Sequence, residues 1–392
     1  MRFRHPDGST VHLAYCTNVH AAEDLAGVLS QLRDHAEPVR RRLHRDRLGI
    51  GMWLARDAAR TLTADPSAVR TLRAELDRRG LEVVTLNGFP YRGFGDQRVK
   101  YRVYRPDWTE PARLDHTTDL ARLLTSLLPD DAVEGTVSTL PLAWRTDFTP
   151  ERRRSALDAL GTLAGRLDAL EELTGRSIRI GLEPEPGCTV ETTADAVEAL
   201  TGHGAPPAHR IGVCVDTCHL ATQFEEPEEA LAALAGAGIP VVKSQLSAAL
   251  HAEHPDGEGV PEALADFAEP RFLHQTRAST PQGIRATDDL ADALVPGALP
   301  VTVPWRSHFH VPLHASPAPP LSSTLDVLRA TLAGLVGVPE PLTRHLEVET
   351  YTWQALPAGS RPRTRAQLAD GIAAELDVAR EMLIDLGLKE LP

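Results

Sequence analysis

Short β-branched runs alternate with longer amphipathic stretches along this chain of 392 residues, and that alternation restricts the possible fold more than any other feature. A short apolar run bounded by turn residues predicts a buried strand, and a 3.6-residue apolar period predicts a helix. Repeated pairs of the two predict βα units around a parallel sheet. Eight runs qualify, at residues 11–16, 49–54, 82–86, 133–138, 178–183, 211–216, 240–246 and 345–350. Eight is the number that closes a barrel, so the expected fold class is α/β, a (β/α)8 TIM barrel with residues 1–392 as one domain. Helices are expected at 21–36, 67–79, 113–128, 150–173, 193–200, 226–237, 321–335 and 364–386. Asp65 before Pro66 and Thr149 before Pro150 supply helix starts, and Gly80 and Gly175 supply helix ends.

Two connections exceed an ordinary βα loop: residues 87–108 after strand 3 and residues 251–320 after strand 7. The second carries strand-like runs at 271–277 and 301–311 and is stiffened by prolines from Pro296 to Pro320. It is expected to be an ordered insertion folded over the barrel mouth.

Hydrophobic residues make up 42% and charged residues 24% of the chain, which places it among globular proteins. A net charge of −13 repels phosphate backbones, so nucleic acid is not an expected partner. Arg40, Arg41, Arg42, Arg45 and Arg47 follow Pro38 and read as a solvated face where the first helix ends. The chain contains no apolar run of about 18 residues, and its first residues lack the apolar segment of a secretion signal. No membrane span and a cytoplasmic location are therefore expected. Cys16, Cys188, Cys214 and Cys218 form neither a CxxC pair nor a disulfide framework, which suits reduced thiols.

In a TIM barrel the reactive groups sit where strands pass into βα loops. Strand 1 ends in Thr17-Asn18-Val19-His20, strand 3 in Asn87, strand 5 in Glu183-Pro184-Glu185, strand 6 in Asp216-Thr217-Cys218-His219, strand 7 in Lys243-Ser244-Gln245 and strand 8 in Glu347-Val348-Glu349. Any one of these acids alone reads as a helix cap or a surface ion pair. Three of the strand ends converge on one space, and each ionised carboxylate taken into a barrel costs roughly several kcal/mol unless paired. A divalent cation is the simplest neutraliser, with Mn, Zn, Co and Mg all compatible with oxygen and imidazole ligands. Pro184 cannot donate a sheet hydrogen bond, which ends strand 5 near Glu183 and favours Glu183 over Glu185 as the ligand. Glu349 lies nearer the mouth than Glu347 and is preferred for the same reason of position. His308 and His310 form an H-x-H pair that a period of two directs to one face, where either can serve as a nitrogen ligand. Tyr91, Trp108, Tyr351 and Trp353 are aromatic candidates for a pocket wall.

The string Val213-Cys214-Val215-Asp216-Thr217-Cys218-His219 resembles the strand-6 motif of the xylose-isomerase-like barrels, the superfamily of sugar isomerases, ketose 3-epimerases and endonuclease IV. The order Glu183, Asp216 with His219, strand 7, then Glu349 is similar to the metal set of the epimerases over nearly the whole chain. More closely, Tyr15-Cys16-Thr17-Asn18-Val19-His20, Leu182-Glu183-Pro184-Glu185-Pro186-Gly187, His308-Phe309-His310-Val311-Pro312 and Glu347-Val348-Glu349-Thr350-Tyr351-Thr352 resemble the EboE-type metabolite-traffic proteins of bacteria. That family name records an association with a biosynthesis and export cluster. The resemblance implies a xylose-isomerase-like barrel, a divalent metal, a polyol, sugar-like or cyclitol-like ligand, and other proteins of the same cluster as partners. The chain departs from the epimerases at strand 7, where a metal-binding histidine is replaced by Gln245. Either Gln245 ligates more weakly through its carbonyl, or His308 or His310 takes over, closer to the endonuclease IV arrangement.

The first functional expectation is a metal-dependent isomerase or epimerase. In it Glu183 and Glu349 exchange protons with the substrate, with Glu183, Asp216, Gln245, His308, His310 and Glu349 as the metal set. His219, Asn18, His20, Asn87 and Arg277 are the expected substrate-binding residues. A carrier protein on the same barrel is the alternative, motivated by Gln245, and a metal-dependent phosphodiesterase is a third reading that the acidic charge disfavours.

Overall fold

The computed structural model describes residues 1–132 and 134–392. Eight parallel strands are β1 (Thr10–Cys16), β2 (Leu48–Trp53), β3 (Leu81–Asn87), β4 (Glu134–Thr139), β5 (Ser177–Leu182), β6 (Ile211–Asp216), β7 (Val241–Leu246) and β8 (His345–Val348). Each pairs with the next, and β8 returns to β1 with His345 opposite His12 and Val348 opposite Tyr15. The sheet therefore closes into a TIM barrel with helices outside it. These strands are the eight runs read from the sequence; Val133, the first residue of the fourth run, lies outside the described residues. A short strand, Arg2–Arg4, pairs antiparallel with both β1 and Lys389–Glu390, a detail too short to announce itself in sequence.

The caps act as their residue types dictate. Asp65 Oδ1 accepts from the Ser67 amide at 2.8 Å to start Pro66–Arg79, and Gly80 ends that helix at φ 65°, where a side chain would be strained. Two helical expectations need correction. The first helix does not end before Pro38: Leu25–Gln31 runs through a π turn at Leu32–Ala36 into Glu37–Arg42. The wider turn makes room for the proline ring, so Arg40, Arg41 and Arg42 lie on the helix, with Arg41 and Arg42 paired to Glu37 and Asp370. A further helix, Arg56–Ala64, follows β2; its apolar contribution is only Ala58, Ala59 and Leu62.

The barrel interior is polar where such interiors are usually filled with aliphatic layers. Thr136 Oγ1 contacts Thr85 Oγ1 at 3.0 Å and His345 Nδ1 at 2.7 Å. Nearer the mouth, Lys243 Nζ lies 3.1 Å from Glu347 Oε2, both side chains fully buried. Gly51 on β2 gives this carboxylate its place, since a Cβ there would lie 1.4 Å from Glu347 Oε2.

Between β7 and β8 the insertion forms a five-stranded antiparallel sheet in the order Gly283–Thr287, Thr276–Thr280, Trp305–Ser307, Leu250–Ala252, Ser322–Ser323. Its strands are shorter than expected. The run at 271–277 becomes strand only from Thr276, and the run at 301–311 is strand only over Trp305–Ser307, so His308 and His310 leave the sheet. The connection after β3 is tied to this insertion: the amides of Val99 and Lys100 donate to the Arg271 carbonyl at 2.8 and 3.0 Å, and the Arg271 guanidinium donates to the Phe94 carbonyl at 2.8 Å. No helix among the described residues is long and apolar enough to cross a membrane.

Candidate metal centre and its pocket

Three carboxylates meet at the C-terminal ends of β5, β6 and β8. Oxygens of Glu183, Asp216 and Glu349 lie within 4.8 Å of one another, and all three residues are buried. Asp216 ends β6 and caps the short helix Thr217–Thr222, its Oδ1 accepting from the amides of Cys218 (2.7 Å) and His219 (3.1 Å) and from Ser247 Oγ (2.6 Å). Its Oδ2 has no hydrogen-bond partner, and neither has Glu183 Oε2. Glu349 Oε1 accepts from the amide groups of Asn18 (2.7 Å) and Asn87 (2.8 Å).

Burial, then the charges of Glu349 and Asp216, hold the Glu183 carboxyl well above its ordinary range. Burial, then Asp216 and Glu347, push Glu349 up to about 8. Burial also raises Asp216, but His219, His310 and the hydrogen bonds from Ser247 and the His219 amide outweigh it and leave Asp216 below the usual carboxylate range.

Beside them three imidazoles converge. His219 Nδ1 donates to the Pro184 carbonyl (2.9 Å), His308 Nδ1 to Gln275 Oε1 (2.8 Å) and His310 Nδ1 to the Glu349 carbonyl (2.6 Å). A carbonyl oxygen only accepts, so each Nδ1 carries a hydrogen and each Nε2 is turned inward. His308 Nε2 lies 3.0 Å from His219 Nε2 and 3.2 Å from His310 Nε2, and Asp216 Oδ2 lies 3.9 Å from both His219 Nε2 and His310 Nε2. Lone pairs facing at such distances repel unless a proton or a cation lies between them. Burial pulls the His310 imidazole down to about 4 and His308 well below its ordinary value, which disfavours the proton. Nitrogens anchored through their far ring atoms, with a free carboxylate oxygen beside them, have the chemistry of a cation site.

The pocket above these groups contains Asn18, Asn87, Glu183, Glu185, His219, His308, His310, Glu349 and Tyr351 in its lining. Most of the sequence-derived residues are thus brought together, although His308 and His310 meet on a loop rather than across a strand face. Two expected substrate contacts are placed elsewhere. His20 stacks on His35 with centroids 4.0 Å apart, and Arg277 is buried against Glu191 (3.2 Å) and the Thr287 carbonyl (2.9 Å). Gln245 points inward from β7 in register with Asp216 and Glu347 and is fully buried, but does not line the pocket; neither its Oε1 nor its Nε2 has a partner. Of the aromatic candidates, Tyr351 reaches the pocket, its Oη 3.2 Å from His308 Nε2, while Tyr91, Trp108 and Trp353 do not line it.

The sequence reading set Glu185 second to Glu183 and passed over Tyr104 and Gln275. Glu185 Oε1 accepts from Tyr104 Oη at 2.6 Å, and Gln275 Nε2 donates to Tyr104 Oη at 2.8 Å while its Oε1 holds His308. Glu185 carried a signal in the E-P-E string; Gln275 and Tyr104 carried none, since their roles depend on two long connections meeting.

A sequence profile described as xylose isomerase-like TIM barrel matches residues 49–272, more than half of the chain. A comparison with curated proteins gives no match. Similar solved structures include a D-tagatose 3-epimerase-like protein (14% identity, 96% of this chain and 98% of that one, TM-score 0.45). A D-psicose 3-epimerase crystallised in the presence of D-fructose shows 12% identity over 95% of this chain and 99% of that one, at a TM-score of 0.49. The IOLI protein with a bound zinc atom shows 15% identity over 96% and 97%, at 0.44.

Proposed function

The chain belongs to the xylose isomerase-like TIM-barrel family, and on that premise we propose that it is a metal-dependent isomerase or epimerase of a sugar-like or cyclitol-like metabolite. The observation that supports this most is the set of buried, unpartnered oxygens, Glu183 Oε2 and Asp216 Oδ2, set beside three inward-facing imidazole nitrogens. Glu183, Asp216 and Glu349 would hold the cation, with His219, His308 and His310 as the nitrogen donors. A bound divalent cation supplies polarisation of a carbonyl and its neighbouring hydroxyl, which lowers the cost of removing the proton on the carbon between them.

The chain's own residues supply the proton traffic. Glu183 takes the proton from the substrate carbon and Glu349 returns one, an exchange open to two carboxyls that meet at one point. Asn18 and Asn87 fix the Glu349 carboxylate through Oε1. The connection after β3 and the insertion cover the pocket and keep water from the reacting carbon. The resemblance to EboE-type proteins adds that the metabolite belongs to a biosynthesis and export route.

Elemental analysis of tag-free protein tests the reading. About one equivalent of metal is expected in the wild type and none in Glu183→Ala or Asp216→Ala. Protein with bound metal is then screened for isomerisation of ketoses and cyclitol ketones, and Glu349→Gln is expected to lose turnover. Wild-type protein that takes up no Mn, Co, Zn or Mg sinks the enzyme reading. It would favour a carrier, the alternative that Gln245 supports, because an amide stands where the epimerases place a histidine.

A further inference from the structure

The lining of the pocket divides by origin. Its acids, amides and imidazoles come mainly from the ends of barrel strands and form a polar floor. A second, apolar set in the lining, Phe89, Phe94, Val99 and Val103 from the connection after β3 and Phe272 and Leu273 from the insertion, forms its roof. Phe94 and Phe272 pack at a tilt with centroids 5.3 Å apart, and each meets Tyr351 edge to face, at 5.4 Å and 4.9 Å respectively.

The polar atoms that the roof does carry are already engaged. Tyr104 Oη is bonded to Glu185 and Gln275, and Lys100 Nζ is paired with Asp289. The two roof segments are also fixed to each other through Arg271, so the apolar surface is a built wall. A hydroxyl brought against that wall loses water and finds no replacement partner, whereas a hydrocarbon brought there gains. A bare hexose carries oxygen on every carbon and suits the floor alone.

We infer that the ligand is amphipathic: a small oxygen-bearing end meets the floor, and an aryl or alkyl portion lies under the roof. The polar end rests on the proposed metal centre; the apolar end rests on the roof alone. The substrate class is then an aryl- or alkyl-substituted hydroxy ketone or cyclitol.

Two hydroxamic acids that share a metal-binding end separate the contributions. Calorimetric titration of zinc-loaded full-length protein is expected to show benzohydroxamic acid binding about tenfold to hundredfold more tightly than acetohydroxamic acid, the range that burial of a phenyl group supports. Phe94→Ala is expected to remove most of that preference. Val103→Thr, which places a hydroxyl in the roof at nearly constant volume, is expected to reduce it severalfold and guards against a folding defect in the first variant. Equal affinities in the wild type, or an undiminished preference in both variants, overturn the inference. If neither hydroxamate binds, the metal reading fails, and the roof is read on metal-free protein with 1-O-benzylglycerol against glycerol. A preference of about tenfold there sustains the apolar subsite, and none overturns it.

Discussion

Glu347 and Glu349 stand two residues apart at the end of one barrel strand, both buried, and the protein treats them in opposite ways. Glu347 faces Lys243 Nζ at 3.1 Å, in space left open by Gly51. Glu349 faces Glu183 and Asp216, and the donors to its Oε1 are two uncharged asparagine amides. Inside the barrel the chain brings its own cation to its own anion. At the mouth it gathers three acids, and no lysine or arginine among the described residues pairs with them. The difference separates two ways of burying charge: the interior acid lies beside a lysine of the chain, and the acids of the mouth lie beside one another.

The largest effect should come from breaking the interior pair. Lys243→Met leaves Glu347 without a counter-charge and is expected to lose about 3–5 kcal/mol of unfolding free energy, measured by urea denaturation. Lys243→Met combined with Glu347→Leu should recover most of it, because two apolar residues replace the pair. A loss below about 1 kcal/mol in the single variant would remove the contrast between the two regions.

A third acid sharpens the comparison. Glu375, on the C-terminal helix, accepts only from neutral donors, the Leu313 amide, the Thr350 hydroxyl and the Trp353 indole, and burial pushes it from 4.5 up to about 7. The folded state therefore holds a proton that the unfolded state releases between those values. Its stabilising contribution is complete below pH 4.5 and is lost as pH rises through 7, on the order of 3 kcal/mol in all. Denaturation midpoints followed across that interval should decline in the wild type and decline less in Glu375→Gln; parallel curves would mean that Glu375 is ionised throughout.

The smallest effect belongs to the mouth. Zinc at about one hundred times its dissociation constant is expected to raise wild-type stability by about 2.7 kcal/mol and to leave Asp216→Asn unchanged. Equal stabilisation of both would place the ion elsewhere.

Much of this contrast was legible before any coordinates. The apolar run Ile211–Asp216 ending in an acid, with His219 three residues on, marks a strand end and predicts that both side chains reach one place, and Asp216 Oδ2 does lie 3.9 Å from His219 Nε2. Glu183 and Glu349 were legible for the same reason. Position along the strand ranked Glu349 above Glu347, but short-range pattern could not show what separates their surroundings, a lysine on β7 and a glycine on β2. It also misplaced His20 and Arg277, polar residues near strand ends or in the insertion that find partners away from the pocket. The roof was hidden more deeply, because it forms only where two connections far apart in sequence meet at Arg271.

Gly51 carries one more consequence. Its φ is not positive and it serves no turn; it is small because Glu347 fills the volume where its Cβ would be. The two positions are therefore sterically coupled, with a fixed order of tolerated change. Glu347 can be shortened first and Gly51 enlarged afterward, but the reverse path passes through a barrel that has no room for its own carboxylate.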